Sequence, residues 1–396
     1  MFDTLEMAPA DPILGLTEAF KADPNPDKIN LSVGVYLDGD GRTPILSSVK
    51  KAEERLLATE KSKSYLPMTG SPEFASAVQE LLFGAGSEVI ASKRAVTAQS
   101  PGGTGGLRVA GDLFKAVYPT ARIWLSEPTW ANHNGIFTAA GLELGTYPYY
   151  DTKQKCLAFD KMLAAIKKIP EGDIVLLHGC CHNPTGMDPT IDQWRQIAAV
   201  LAERKLVAMV DFAYQGLAEG LEQDAASVRV LCEPGREVVI ASSFSKNFGL
   251  YNERVGAVTI VCSSAESAQK AASHLKLSIR RNYSNPPSHG GAIVATVLSD
   301  PQLRKEWEGE VAIIRDRIHE MRRLIVDTLK AKGVKQDFSF IVGQNGMFSF
   351  SGLTRDQVDT LREKNAIYIV NSGRINVAGL TRANMGRFCE AVAAVL

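Results

Sequence analysis

Short apolar runs, each bounded by polar or turn-forming positions, mark the middle of the chain. "RAVTAQ" (94–99), "ARIWLS" (121–126), "DIVLLHG" (173–179), "KLVAMVD" (205–211), "EVVIASS" (237–243) and "GAVTIVC" (256–262) read as strands. Their hydrophobicity is nearly continuous instead of alternating, the pattern of strands covered on both faces in a parallel sheet. Between them, segments such as "IDQWRQIAAVLAERK" (191–205) space their apolar residues at helical intervals. This alternation predicts an α/β fold with a mostly parallel central sheet.

A long helix follows. In "EWEGEVAIIRDRIHEMRRLIVDTLKAKG", the residues Trp307, Val311, Ile314, Ile318, Met321 and Ile325 step by four or three and draw one apolar stripe, with Gly333 as a stop signal. Beyond it, "FSFIVGQNGMFSFSGL", "QVDTLREKNAIYIV" and "RINVAGL" suggest a smaller α/β unit. The first forty or so residues, rich in Pro, Asp and Gly, can join either unit. No internal repeat is visible.

Composition narrows the class. With 396 residues the chain exceeds one typical core, so a large and a small domain are expected. Apolar residues make up 45% and charged residues 22%, the balance of a soluble globular protein. Lys and Arg together equal Asp and Glu at 44 each, which argues against a nucleic-acid partner. The acidic start "MFDTLEMAPADP" has neither the basic nor the apolar region of a secretory signal. No run reaches the ~18 apolar residues of a membrane helix. The six cysteines match no metal spacing and read as reduced thiols of a cytoplasmic protein.

Four stretches carry chemistry. "QSPGGTGGLRVAGDLF" (99–114) follows a strand and opens a helix, so its glycines bring backbone N–H groups and a helix dipole towards an anion. It fits neither common nucleotide fingerprint, and a plain tight turn would use the same residues. Asp211 ends a strand with Tyr214 three residues on, at the edge where α/β sheets bind ligands; taken alone, it reads more readily as the cap of the next helix. "HGCCHNPTG" (178–186) sets Asn183 in an ordinary turn motif. Lys246, in "SSFSKNFGLYNER" (242–254), follows an apolar strand where an ammonium ion is costly to bury. Such a lysine either snorkels to solvent or, with a lowered pKa, forms a Schiff base with an aldehyde. An aldehyde cofactor that also needs an anion cradle and a carboxylate for its ring nitrogen is pyridoxal phosphate.

With these residues in view, "SSFSKNFGLYNERVG", "HGCCHNPTG", "DFAYQG", "PTWANHNGIF", "IRRNYSNPP" and "GRINVAGL" together resemble the aspartate/aromatic-amino-acid branch of the class I pyridoxal-phosphate-dependent aminotransferases. The likeness runs from "DPILGL" near the start to "EAVAAVL" at the end. It implies the fold type I transferase architecture, with a large domain over 40–310 and a small domain formed by 311–396 and 1–39. By this resemblance Lys246 holds the cofactor and shuttles the substrate proton, and Asp211, supported by His133, pairs with the ring nitrogen. Tyr214 and Asn183 hydrogen-bond the phenolic oxygen and Trp130 stacks on the ring. Gly103, Thr104, Ser243, Ser245 and Arg254 hold the phosphate, with Tyr65 of the neighbouring subunit; Gly102 replaces a serine frequent among relatives.

Two arginines define the substrate in the same way. Arg374 grips the α-carboxylate, and Arg280 of the other subunit grips a side-chain carboxylate; Arg281 receives no role. Val33 and Gly34 belong to the closing small domain, Gly34 beside the substrate. A homodimer with shared sites follows, acting on amino acids and 2-oxo acids without metal. Thr104 and Asn285 resemble the aspartate branch, whereas "SYLPMTG" and the Arg280–Arg281 pair lean towards the aromatic one; Leu37, near the substrate mouth in relatives, is more apolar than the lysine often found there. The expected activity is ping-pong transfer from L-aspartate to 2-oxoglutarate, with aromatic amino acids also accepted. Transfer chiefly from aromatic amino acids is the main alternative. A lyase or decarboxylase would not need two carboxylate-binding arginines. A regulator would need a DNA-binding module that the chain lacks, and a dehydrogenase a dinucleotide fingerprint.

Overall fold

A computed structural model describes residues 2–7 and 14–396; residue 1 and residues 8–13, which include half of "DPILGL", lie outside the described residues. Seven strands build the central sheet: β1 Ala95–Pro101, β2 Arg122–Glu127, β3 Glu143–Pro148, β4 Ile174–His178, β5 Val207–Phe212, β6 Val238–Ser243 and β7 Val255–Val261. Their spatial order is β1-β7-β6-β5-β4-β2-β3. The run from β6 to β3 is parallel, and β7 lies antiparallel to both β6 and β1.

The continuous apolar runs have the cause expected of them. In β4, Ile174 and Leu176 pack with Leu107, Ala110 and Phe137 on one face, while Val175 and Leu177 join Trp194 and Ile197 on the other. All four are at most 1% exposed. Burying each such aliphatic side chain contributes about 1.5–3 kcal/mol. Helices therefore cover both faces of the sheet.

β3, "ELGTYP", is the strand the hydrophobic pattern does not reveal. It lies at the sheet edge with Glu143, Thr146 and Pro148 open to solvent, the place where Pro and Gly are tolerated in strands. Gly145 is required there, because an added Cβ would lie 2.6 Å from the Trp124 ring.

The long helix, Pro301–Ala331, starts before its apolar stripe. Asp300 accepts hydrogen bonds from the backbone N–H groups of Gln302 and Leu303, and Pro301 opens the first turn. Trp307, Val311, Ile314, Ile318, Met321 and Ile325 are all buried. Gly333, two residues beyond its end, takes a φ of 77°.

The C-terminal segment forms small sheets of its own. Phe348–Phe350 pairs antiparallel with Arg374–Asn376, and Ile367–Tyr368 pairs in parallel with Ile29–Asn30. The N-terminal segment thus hydrogen-bonds to the C-terminal elements and adds no strand to the seven-stranded sheet. Helices Arg355–Asn365 and Arg382–Val395 each begin with a threonine capping box. Among the described residues, no helix is long and apolar enough to cross a membrane.

Candidate active site

The register of the sheet sets His178 beside Asp211 and Asp211 beside Ala241. The carboxyl ends of β4, β5 and β6 therefore lie side by side, and the segments following them converge on one cavity of about 240 Å³. It is lined by Gly34, Gly103, Thr104, Trp130, Asn183, Asp211, Tyr214, Ser243, Ser245, Lys246, Arg254 and Arg374. Leu107, Ala213, Tyr251 and Phe348 complete the lining. Ligands of α/β sheets bind at this edge.

One end of the cavity is built for an anion. The helix Gly102–Val117 starts directly at the end of β1, and no side chain caps its first turn. Free first-turn N–H groups and the helix dipole favour negative charge. Gly102 has φ 73°, and a Cβ there would lie 2.5 Å from Arg254 Nη2. A Cβ on Gly256 would lie 2.4 Å from the Gly102 carbonyl carbon. Only glycine lets these backbones approach so closely. Arg254 Nη1 donates to Ser245 Oγ at 3.5 Å and to the Tyr251 carbonyl at 3.0 Å. Ser243 Oγ donates to Ser245 Oγ at 3.2 Å.

Asp211 does not cap a helix; it lies within β5 and faces the other end of the cavity. His133 Nε2–H donates to Asp211 Oδ2 at 3.0 Å. Burial raises the Asp211 carboxyl, but the His133 hydrogen bond and the neighbouring Lys246 charge outweigh it and hold it below the usual range. Behind His133 the chain continues. Thr129 Oγ1 donates to His133 Nδ1 at 2.8 Å, His178 Nε2–H donates to Thr129 Oγ1 at 3.2 Å, and the Asn183 backbone N–H donates to His178 Nδ1 at 3.4 Å. The ionised carboxylate only accepts, so it sets the direction of every donor in this chain. Burial pushes His178 down to about 3, which keeps its imidazole neutral.

Lys246 occupies the turn after β6, with Nζ 4.8 Å from the Tyr214 ring centroid. Burial lowers its ammonium to about 8 from the usual 10.5, with Asp211 opposing and Arg254 adding to the fall. A lysine lowered this far is neutral in part near physiological pH, and that fraction is nucleophilic. In the protein without cofactor, acylation of Lys246 by acetic anhydride should set in as the pH rises through about 8, where exposed lysines are still mostly protonated. Peptide mass spectrometry across pH checks this; onset only near 10.5 would contradict it. Burial holds the Tyr214 phenol well above its usual range, so it stays a hydrogen-bond donor.

Arg374 closes the cavity from the C-terminal side. Its Nη1 donates to Asn183 Oδ1 at 3.3 Å, its Nη2 donates to the Ser32 carbonyl, and its guanidinium lies 4.2 Å over the Phe348 ring. Its Nε is buried without a partner. Burial lowers Arg374 to about 10, still charged at neutral pH. Asn376 Nδ2 donates to the Val33 and Val35 carbonyls at 2.7 Å and so pins the Gly34 segment. A Cβ on Gly34 would lie 2.6 Å from Phe348 Cζ.

Three expected site residues do not line the cavity of the single chain: His133 bonds to Asp211 without lining it, and Tyr65 and Arg280 lie outside it. Tyr65 is 92% exposed, and Arg280 is exposed with its Nη1 donating to Ser284 Oγ. Asn285 Nδ2 donates to the Leu66 carbonyl at 2.7 Å, beside Tyr65. Arg281 is also exposed. Sequence reasoning did not single out Thr129, His178, Tyr251 or Phe348. Tyr251 stands five residues after Lys246 in the same quoted stretch, which is the one signal that could have found it.

The family described as aminotransferase class I and II matches residues 26–392. The chain is 55% identical to an aspartate aminotransferase of Salmonella typhi over 396 residues, all of both chains. It is 45% identical to an aromatic-amino-acid aminotransferase of Pseudomonas aeruginosa over 394 residues, 100% of this chain and 98% of that one. Its fold matches the crystal structure of an aromatic-amino-acid aminotransferase from Burkholderia pseudomallei covalently bound to pyridoxal phosphate. The TM-score is 0.98 at 49% identity, over 100% of this chain and 99% of that one.

Proposed function

The chain belongs to the class I and II aminotransferases, and on that premise we propose that it transfers the amino group of L-aspartate to 2-oxoglutarate with pyridoxal phosphate. Aromatic amino acids are further donors. What supports this most is the cavity itself: a lysine lowered to about 8, a buried carboxylate, an uncapped helix start with Arg254, and the buried Arg374 all face one space.

The donor set fits the cofactor. The Gly102–Val117 helix start, Gly103, Thr104, Ser243, Ser245 and Arg254 would hold its phosphate, Arg254 through paired N–H groups. Trp130 would cover the ring, Asn183 and Tyr214 would donate to its phenolic oxygen, and Asp211 would accept from its ring nitrogen. When bound, pyridoxal phosphate supplies an aldehyde that condenses with amines and a ring that accepts the electrons released at the α-carbon.

The protein's own groups do the rest. Lys246, once displaced by the substrate amine, is a neutral base that takes the α-proton and returns it elsewhere. Asp211, ionised and held by His133, keeps a proton on the ring nitrogen. Arg374 binds the α-carboxylate and fixes which substrate bond faces Lys246. A 2-oxo acid leaves before 2-oxoglutarate enters, a ping-pong order.

A homodimer belongs to the same proposal. Tyr65 and Arg280 are exposed in the single chain, and Leu57 is 87% exposed nearby in sequence. Arg280 would reach the partner's site to bind the side-chain carboxylate. We divide each subunit into a large domain over 40–310 and a small domain from 1–39 and 311–396, whose closure carries Gly34 and Arg374 over the substrate and excludes water. The cytoplasm is the proposed location.

Aromatic transfer as the principal activity is the second reading, favoured by the Burkholderia pseudomallei likeness at TM-score 0.98. One experiment separates them. Arg280→Leu should lower kcat/KM for aspartate about 10²-fold or more, since a buried carboxylate loses its partner, and for phenylalanine less than about tenfold. Equal losses for both substrates would reject the role of Arg280. A wild-type kcat/KM far higher for phenylalanine would favour the second reading.

A further inference from the structure

The turn that carries Lys246 is tied to the rest of the site by its next residue. Asn247 is buried. Its Nδ2 donates to the Gln215 carbonyl at 3.1 Å, one residue beyond Tyr214. Its own carbonyl accepts from Trp307 Nε1–H at 2.8 Å, on the helix Pro301–Ala331. Each of these links is stiff. The Gln215 side chain donates to the Leu81 and Leu221 carbonyls at 3.0 Å. Asp224 accepts from four backbone N–H groups between Gly216 and Gly220, which fixes the course of the chain after Tyr214. Trp307 stacks on Phe248 with ring centroids 4.5 Å apart.

The helix continues into the C-terminal unit, where Arg322 donates to the Ile341, Gly346 and Phe348 carbonyls. Phe348 is the ring beneath Arg374. Asn247 therefore joins the lysine turn to the tyrosine segment through its buried side-chain amide, and to the helix that reaches the arginine end of the cavity through its main-chain carbonyl.

We infer that Asn247 is a positioning residue that fixes Lys246 against Tyr214 and couples both to the helix Pro301–Ala331. This rests on the proposed aminotransferase reading. Asn247 Oδ1 has no partner, so the amide is held by its donor side alone. Leucine, close to asparagine in shape, removes that donor and leaves the volume filled.

The test compares wild type, Asn247→Leu and Trp307→Phe as holoenzymes. Three quantities are read: kcat and KM for aspartate, the pH midpoint of the bound cofactor's visible absorbance, and Tm. In Asn247→Leu a displacement of the Lys246 nitrogen by a fraction of an ångström should lower kcat about tenfold or more, with KM within about threefold. The absorbance midpoint should shift by about half a pH unit or more, because moving Lys246 relative to Tyr214 changes the hydrogen bonding and solvation around the titrating nitrogen. Trp307→Phe keeps the stack and removes one N–H, and should move the midpoint the same way by less.

An Asn247→Leu enzyme with wild-type kcat and midpoint overturns the inference, whatever its Tm, and makes Asn247 a packing residue. If that variant does not fold, Trp307→Phe decides, and a wild-type midpoint there overturns the coupling to the helix. Wild-type protein that binds the cofactor yet transfers no amino group overturns the function itself and this inference with it. That failure shows in the wild type, before any variant is compared.

Discussion

Replacing Lys246 by alanine should leave a folded protein that binds pyridoxal phosphate without a covalent bond and turns over at least about 10⁴-fold more slowly. Folding is retained because Lys246 lies in a turn beyond β6 and its charge is a burden to the native state. Its pKa is lowered on folding, from 10.5 to about 8. Native stability therefore falls as the pH drops from 10.5 towards 8 and levels off below. Removing the amine removes that penalty, so the variant without cofactor should melt no lower than wild type at pH 7. Retention of the cofactor follows from the phosphate cradle, which Lys246 does not build. Turnover within about tenfold of wild type would contradict the assignment of Lys246, since among the described residues no other lysine lines the cavity.

The second large effect belongs to Asp211. Asparagine keeps its shape and can still accept from His133 Nε2–H, so Asp211→Asn should fold and melt within a few degrees of wild type. What it loses is the negative charge that keeps a proton on the cofactor's ring nitrogen. Removing one such preorganised electrostatic partner lowers kcat about 10²–10³-fold. Because the carboxyl is held below its usual range, Asp211 stays ionised throughout the neutral range, and the wild-type enzyme should show no loss of kcat there from its titration. Steady-state kinetics of the variant, with a pH profile of the wild type, check both points. A kcat for Asp211→Asn within about threefold of wild type would remove the carboxylate from the mechanism.

The sequence and the structure meet unevenly, for physical reasons. β4, β5 and β6 are legible because helices bury both faces, which leaves no polar alternation to blur them. β3 is illegible because an edge strand tolerates Glu, Gly and Pro. The stripe from Trp307 to Ile325 reveals the long helix, but only Asp300 and Pro301 mark its start.

At the site, Lys246 stands out because an ordinary strand end gives an ammonium ion little reason to be buried, whereas Asp211, Asn183 and the glycines fit ordinary caps and turns and gain meaning only beside it. Thr129 and His178 do not, since their part in the chain to Asp211 exists only once β4 and β5 are in register. Phe348 reads as one more core aromatic; only the fold sets it under Arg374. Asn247 is hidden by its neighbour, because nothing in "SKNFG" announces a bond to Gln215 or Trp307. Tyr65 and Arg280 were legible through family likeness alone, as in the single chain both face solvent.

The central claim is amino-group transfer from aspartate, and its most direct test leaves the acceptor out. Purified enzyme loaded with pyridoxal phosphate is mixed with L-aspartate, and oxaloacetate is counted against bound cofactor. The account predicts a stoichiometric burst that then stops, restarts on addition of 2-oxoglutarate, and is matched by a parallel burst of phenylpyruvate from L-phenylalanine. Continuous release of carbon dioxide or ammonia without an acceptor, or no oxo acid from either amino acid, would contradict it.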